Sequence, residues 1–160
     1  MDIEKILKYA LEREYEGKRF FSENAGRLQN AAAQSAFKAI AEEEQRHIDF
    51  ISAQLAALNT GVEAASPELP KAGFFADRAE SQSIMDTVAE AMVADLPVLR
   101  MAYLIERDFA EFYEMAARKA EGKARETLEM LSAWESGHER LFKRMHDKAF
   151  EQYAQMPWGG

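Results

Sequence analysis

The chain has no cysteine among its 160 residues and little proline or glycine, with 4 and 8 residues respectively. Without cysteine, this sequence cannot form disulfides, thiolate zinc sites, iron–sulfur clusters or a rubredoxin-type electron-transfer module. The lack of thiols also suits a reducing compartment. Because residues that break helices are scarce while Ala, Glu, Leu, Met and Phe are plentiful, the composition favours an all-α protein.

Basic residues are outnumbered, since 20 Lys and Arg stand against 28 Asp and Glu and give a formal net charge of −8. This charge argues against nucleic acid and anionic lipid as partners, because both require a basic surface. No apolar run is long enough to cross a bilayer, and the N-terminal residues are too charged for a signal peptide. We therefore expect a cytoplasmic protein that binds neither nucleic acid nor membrane.

Apolar residues recur at steps of three or four in four long segments, a pattern typical of the helices of a bundle. We expect these helices at about 2–28, 31–58, 97–120 and 122–153, in a single domain spanning 1–160. Residues 59–96 contain Pro67, Pro70 and Gly73 and form the one long connection. This segment is predicted to be a crossover between two helical hairpins, with a short extra helix that begins near Ser83.

Six ionisable side chains interrupt the inward-facing stripes of the four predicted helices. The second and fourth helices each carry a Glu-x-x-His motif, whose spacing places a carboxylate and an imidazole on one helix face. A lone inward glutamate in the first and third helices precedes each motif at a nearly equal distance, so the two halves of the chain repeat each other. The six residues are Glu14, Glu44, His47, Glu106, Glu135 and His138.

This set matches the ligands of a carboxylate-bridged di-metal site inside a four-helix bundle. We assign Glu44 and Glu135 as bridging ligands and Glu14 and Glu106 as terminal ligands, because a carboxylate can bind two ions at once. Mixed carboxylate and imidazole ligation favours two iron ions, with manganese or zinc as alternatives. Pairing of these glutamates with Arg or Lys is disfavoured, since no four basic residues occupy facing positions to offset the cost of burying the charges.

Several residues near the motifs leave two interpretations open. Tyr103 and Tyr113 share the predicted third helix with Glu106, and each either supports a metal ligand or packs as a core tyrosine; for Tyr103 the supporting role is a hydrogen bond to a ligand or the transfer of an electron. Gly17 either leaves room for oxygen or peroxide or allows close helix approach. His146 lacks a glutamate three residues before it and is expected at the surface.

The sequence resembles the rubrerythrin-like branch of the ferritin-like superfamily over nearly its whole length. The motifs that carry the resemblance are LEREYEG at 11–17, AEEEQRH at 41–47, IE at 105–106 with Tyr113, and WESGH at 134–138. The resemblance implies a ferritin-like four-helix bundle with a non-haem di-iron centre. Such a centre is oxidised by hydrogen peroxide or dioxygen and is then reduced again by a redox partner.

Two departures from that family modify the expectation. Rubrerythrins proper add a cysteine-rich rubredoxin domain, so electrons are expected here from a separate rubredoxin- or ferredoxin-like protein. They also carry an extra glutamate three residues after the third-helix ligand, a position that Phe109 occupies in this chain. A ligand exchange through that residue is therefore unavailable, which puts a rubrerythrin-type peroxidase mechanism in question.

The expected function is that of a di-iron oxidoreductase active in oxidative stress, reducing peroxide with electrons from its partner. The alternatives are a ferroxidase or iron-handling protein, and a helical interaction module that uses metal only as a staple. We expect a homodimer, because the bundle-sized chain shows no extension of the kind that builds a cage.

Overall fold

The structure is a computed structural model that describes residues 2–61 and 90–157. Over these ranges the chain contains helices and no strand: α1 (Ile3–Ala25), α2 (Ala31–Thr60), a short 3-10 helix (Glu90–Asp95), α3 (Leu96–Arg118) and α4 (Gly122–Gln155). The prediction of an all-α four-helix bundle is confirmed. Residues 62–89, which hold most of the predicted crossover and the start of its extra helix, lie outside the described residues. Among the helices that the structure describes, none has the length and apolar character to cross a membrane.

Local sequence signals explain where the helices begin and end. The Asp2 carboxylate caps α1 by accepting the backbone N–H of Lys5 at 3.3 Å, and the Asn30 side chain caps α2 by accepting that of Ala33 at 3.1 Å. Gly61 ends α2 in the left-handed region at φ 67°, which glycine adopts without strain. Compared with the prediction, the first helix, expected over 2–28, ends earlier, at Ala25. The second helix, expected over 31–58, continues to Thr60, next to Gly61.

The helices pair as two hairpins, α1 with α2 and α3 with α4. Asp95 connects them, because its buried carboxylate accepts the backbone N–H groups of Gln29 and Asn30, both at 2.9 Å. These residues form the turn between α1 and α2, whereas Asp95 directly precedes α3. The first hairpin is thus fixed against the start of the second by two charge-assisted hydrogen bonds.

Two apolar cores fill the bundle at different levels along the helices. One core is built around the stacked and edge-to-face rings of Phe21, Phe37 and Phe142. The other includes Tyr113 and Trp134. Each long helix contributes to both cores, and the ionisable positions of the sequence stripes fall between the two contributions. The fold therefore places a polar layer between two apolar cores.

Candidate metal centre

The structure brings all six predicted ligands together in the layer between the two cores. Their burial is nearly complete: His47 is 3% exposed and the other five are 0% exposed. Each residue lies in the middle of a long helix, so hydrogen-bonded backbone holds its Cα position on both sides. The cluster consists of Glu14 on α1, Glu44 and His47 on α2, Glu106 on α3, and Glu135 and His138 on α4.

The cluster divides into two overlapping groups, in each of which one potential ligand atom per residue lies within 4.8 Å of all the others. We call the places these groups surround position 1 and position 2. Position 1 is surrounded by Glu14, Glu44, His47 and Glu135, and position 2 by Glu44, Glu106, Glu135 and His138. The two residues common to both groups are Glu44 and Glu135.

The shared carboxylates turn one oxygen toward each position. Nδ1 of His47 lies 3.3 Å from Oε2 of Glu44 and 2.9 Å from Oε1 of Glu135. Nδ1 of His138 lies 3.3 Å from the other oxygen of each, Oε1 of Glu44 and Oε2 of Glu135. The terminal carboxylates each approach one histidine, Glu14 at 3.2 Å from His47 and Glu106 at 3.5 Å from His138. Each shared carboxylate therefore has one oxygen near the imidazole of position 1 and the other near the imidazole of position 2.

The donor atoms at the centre fit a pair of cations. Both oxygens of Glu44, Glu106 and Glu135 are buried without a hydrogen-bond partner, as is Nδ1 of His138. Native proteins rarely leave buried polar atoms unsatisfied, and a buried carboxylate without a partner is costly. Two divalent cations would satisfy these atoms and neutralise the four carboxylate charges.

Burial and mutual repulsion favour the protonated forms of the two terminal carboxyl groups. Burial, followed by the charge of Glu44, raises the pKa of Glu14 to about 7. Burial also raises the pKa of Glu106 well above its usual value, with the charges of Glu44 and Glu135 adding to the effect. Bound cations would reverse both shifts, because an opposite charge stabilises the ionised carboxylate.

The two histidines respond in the opposite sense to burial. Burial alone would lower the pKa of His47, but the charges of Glu135 and Glu14 outweigh it and raise the pKa well above the usual value. The pKa of His138 is likewise raised well above its usual value, because Glu106 and its neighbours outweigh the effect of burial. Without metal, therefore, the imidazoles carry protons that a metal ion must displace.

A second set of residues contacts the ligands from outside. The Tyr113 hydroxyl donates a hydrogen bond to Oε1 of Glu14. Nε2 of His138 lies 2.5 Å from Oε2 of Glu43. The ring of His47 stacks on the indole of Trp134, with 4.8 Å between centroids and 11° between planes. Of these three outer residues, sequence reasoning raised only Tyr113. Glu43 and Trp134 could have been found from their positions, since they directly precede Glu44 and Glu135 in the two Glu-x-x-His motifs.

The remaining candidate residues lie away from the six ligands. Tyr103 contacts the ring of His146 and the cations of Arg107 and Lys143, and its partly buried ring packs against the core that is built around Phe21, Phe37 and Phe142. His146 is mostly buried instead of fully solvated, at 16% side-chain exposure, and pairs with Asp147 at 3.1 Å. Neither contact involves the candidate centre.

Gly17 accommodates a close approach of α3. A Cβ atom there would lie 2.9 Å from Cε2 of Phe109 and 3.9 Å from Cδ of Glu44. The Phe109 ring therefore fills the space that the glycine leaves, which favours the close-approach interpretation. On the outer side, both residues line a groove of about 380 Å³ between α1 and α3, together with Arg13, Glu16 and Asp108.

A helical bundle whose buried layer holds two overlapping carboxylate–histidine groups belongs, by fold and site, to the ferritin-like proteins. The rubrerythrin family model matches residues 5–146, and the chain is therefore a member of the rubrerythrin family. No rubredoxin module is present in the sequence. No curated protein and no solved structure matches the chain significantly.

Proposed function

We propose that the protein is a non-haem di-iron oxidoreductase that reacts with hydrogen peroxide or dioxygen. The observation that carries the proposal is the sharing of Glu44 and Glu135 between two otherwise separate ligand groups. A single-ion site needs no such sharing, whereas two ions with shared carboxylates can act together on one small oxidant. We assign the six cluster residues as its metal ligands, with Tyr113 supporting Glu14.

Two ferrous ions held by these residues would supply two electrons as each is oxidised to the ferric state, the number needed to reduce one hydrogen peroxide to two waters with the uptake of two protons. The protein's own contribution is to hold and enclose them. The helices fix the ligands, the Tyr113 hydroxyl orients Glu14, and the Phe109 ring fills the space beside Gly17 where the groove meets the site. Exclusion of bulk water strengthens each electrostatic contact inside the site and limits side reactions.

The electrons must come from outside the chain, because it contains no cysteine for a rubredoxin-type module or an iron–sulfur cluster. We therefore propose a separate rubredoxin- or ferredoxin-like protein as the donor. We further propose that the protein is a homodimer and acts in the cytoplasm under oxidative stress. A cysteine-free sequence suits that reducing compartment.

A ferroxidase or iron-handling role is the second candidate, because the same ligands bind ferrous iron. The groove beside Gly17 favours it in one respect, since Glu16 and Asp108 offer carboxylates next to the site. A salt bridge of 2.6 Å between Arg13 and Glu16 offsets one of these charges. Assembly separates the candidates, since iron storage requires a large hollow particle with many irons per chain.

The test is to load the metal-free protein with ferrous iron under anaerobic conditions and to record metal content and optical spectrum before and after hydrogen peroxide. We expect two irons per chain, a spectral change with one peroxide per iron pair, and continued peroxide consumption when a reductant is supplied. Release of oxygen gas, or iron that peroxide leaves unchanged, would contradict the oxidoreductase. Light scattering on the same samples distinguishes a dimer from a storage particle.

A further inference from the structure

The internal repeat of the chain places corresponding residues around the two metal positions. Glu43 and Trp134 correspond, because each directly precedes a shared glutamate, Glu44 or Glu135. Phe21 and Tyr113 correspond as well, since each follows the terminal glutamate of its half by seven residues. In both pairs, however, the two halves carry side chains of different chemistry.

The first pair contacts the histidines crosswise between α2 and α4. Glu43 on α2 lies 2.5 Å from Nε2 of His138 on α4, while Trp134 on α4 stacks on His47 of α2. The Nδ1 atom of each histidine faces the carboxylates of the centre. His138 thus has a carboxylate at its second ring nitrogen, whereas the contact that Trp134 makes with His47 lies on the face of the ring and supplies no charge. A carboxylate that accepts the second N–H of an imidazole raises the basicity of the nitrogen that binds metal.

The second pair affects the terminal ligands in the same direction. The Tyr113 hydroxyl donates to Glu14 at position 1 and withdraws electron density from that carboxylate. Phe21, its counterpart, has no hydroxyl and packs with Phe37 and Phe142 in the apolar core. Both oxygens of Glu106 at position 2 are without a hydrogen-bond donor and are fully available to a cation.

From these two contacts, which rest on the di-metal centre proposed above, we infer that the two positions differ in affinity and that position 2 binds its ion first and more tightly. Glu43 is the positioning residue responsible for most of this difference. The repeat supplies two similar ligand sets, and the divergent residues behind them make one set the stronger donor.

The experiment uses the metal-free full chain and Co²⁺, a coloured divalent probe, with binding followed by calorimetry and visible absorption. We expect two binding steps. Glu14→Gln removes a ligand of position 1 and should retain the tighter step, whereas Glu106→Gln should retain only the weaker one. The reverse order, or equal affinities in the two variants, would overturn the inference.

Glu43→Gln tests the proposed cause. It keeps the side-chain shape but removes the charge, so we expect it to weaken the tighter step by about 10–100-fold and to leave the weaker step unchanged. Glu42→Gln is the matched control, because Glu42 is exposed on the same helix and the charge change is identical. An equal loss in both steps, or no loss, would contradict the role of Glu43.

Three further outcomes show whether a failure would concern the inference or the proposed function. If Glu43→Gln does not fold, as judged by circular dichroism, the comparison of Glu14→Gln with Glu106→Gln decides the order of filling alone. If the unmodified chain binds fewer than two ions, the di-metal function itself is wrong and the inference is overturned with it. Two ions bound with equal affinity would overturn the inference and leave the function intact.

Discussion

The hydroxyl of Tyr113 on α3 donates a hydrogen bond to the Glu14 carboxylate on α1, connecting the second half of the chain to a ligand of the first. Tyr113 is 1% exposed and Glu14 is 0% exposed, so water does not compete for this contact. Burial and the charge of Glu14 both raise the pKa of Tyr113 well above its usual value, which keeps the hydroxyl protonated as a donor. The tyrosine thus belongs to the site as well as to the core.

Tyr113→Phe should destabilise the metal-free protein, because it leaves a buried carboxylate oxygen without its donor. We expect a loss of about 1–3 kcal/mol in the free energy of unfolding, measured by urea denaturation. The shape is tolerable, since Phe21 occupies the corresponding place in the first half. Tyr103→Phe is the control, because it removes the same hydroxyl from a partly buried tyrosine whose ring contacts include no ligand, and it should lower stability by less than Tyr113→Phe does. Equal stabilities of the two variants would contradict the importance of the contact.

The contact between Gly17 and Phe109 predicts a strong energetic coupling. Gly17→Ala gains about 1 kcal/mol of helix propensity, but its Cβ would lie 2.9 Å from the Phe109 ring, and such overpacking costs about 1–3 kcal/mol. We expect net destabilisation in the unmodified protein. In a Phe109→Ala background the clash is removed, and the same change should be stabilising.

A double-mutant cycle measured by urea denaturation checks this sign change, and we expect a coupling energy of at least about 1 kcal/mol. Gly26→Ala is the matched control, because a Cβ there meets nothing within 4 Å and the φ of −71° suits alanine. Additive effects of Gly17→Ala and Phe109→Ala would show that the ring moves aside at no cost.

The sequence predicted the bundle and the six-residue cluster because both follow from helical periodicity. A charged residue in an apolar stripe must lie in the interior, and the repeat in two halves specifies which four stripes face one another. The helix ends were predicted less well, because contacts between distant parts of the chain contribute to them. Asp95, for example, accepts hydrogen bonds from the turn at Gln29 and Asn30, and no local sequence pattern reveals that contact.

The residues that contact the ligands from outside were harder to predict than the ligands, because their contacts also depend on how the helices pack against one another. Glu43 lies one residue from Glu44, and the periodicity places it at the edge of the stripe, where most glutamates are solvated. Its contact with His138 depends on the packing of α2 against α4, which the sequence of either helix alone does not determine. Tyr103 shows the converse, because its place near Glu106 in the sequence did not bring it to the centre.

Metal binding should become weaker as the pH falls. The pKa values of His47 and His138 are raised well above the usual value, so both imidazoles are protonated in the metal-free protein near neutral pH. Each must lose a proton to bind an ion, and protonation at lower pH competes with metal. Release of at least two protons implies that the product of the two binding constants falls by at least about 100-fold per pH unit.

Calorimetric titration with Co²⁺ in two buffers of different ionisation enthalpy measures the number of protons released. We expect at least two protons per chain on full loading, with Glu14 and Glu106 adding to that number because their pKa values are raised as well. His47→Gln should release about one proton fewer, since one imidazole is gone. Identical heats in both buffers would contradict protonated histidines.

Loss of a shared carboxylate should affect both positions at once. In Glu44→Ala each position keeps one terminal glutamate, one histidine and Glu135, so two cations would have to share a single bridging carboxylate. The remaining charge does not offset the repulsion between two divalent ions at close range, and we expect the second ion to be lost. Glu135→Ala should behave in the same way, because one carboxylate oxygen of Glu135 lies near Nδ1 of His47 and the other near Nδ1 of His138.

Metal analysis after dialysis of the Co²⁺-loaded variants gives the measurement, with two ions expected for the unmodified chain and at most one for either variant. Glu42→Ala, at an exposed position of the same helix, should keep both ions. Glu14→Ala separates bridging from terminal roles, because it removes a ligand from position 1 alone and should leave the affinity of position 2 close to that of the unmodified protein. Two tightly held ions in Glu44→Ala would mean that each ion is bound by its own terminal ligands, and the bridging assignment would then be wrong.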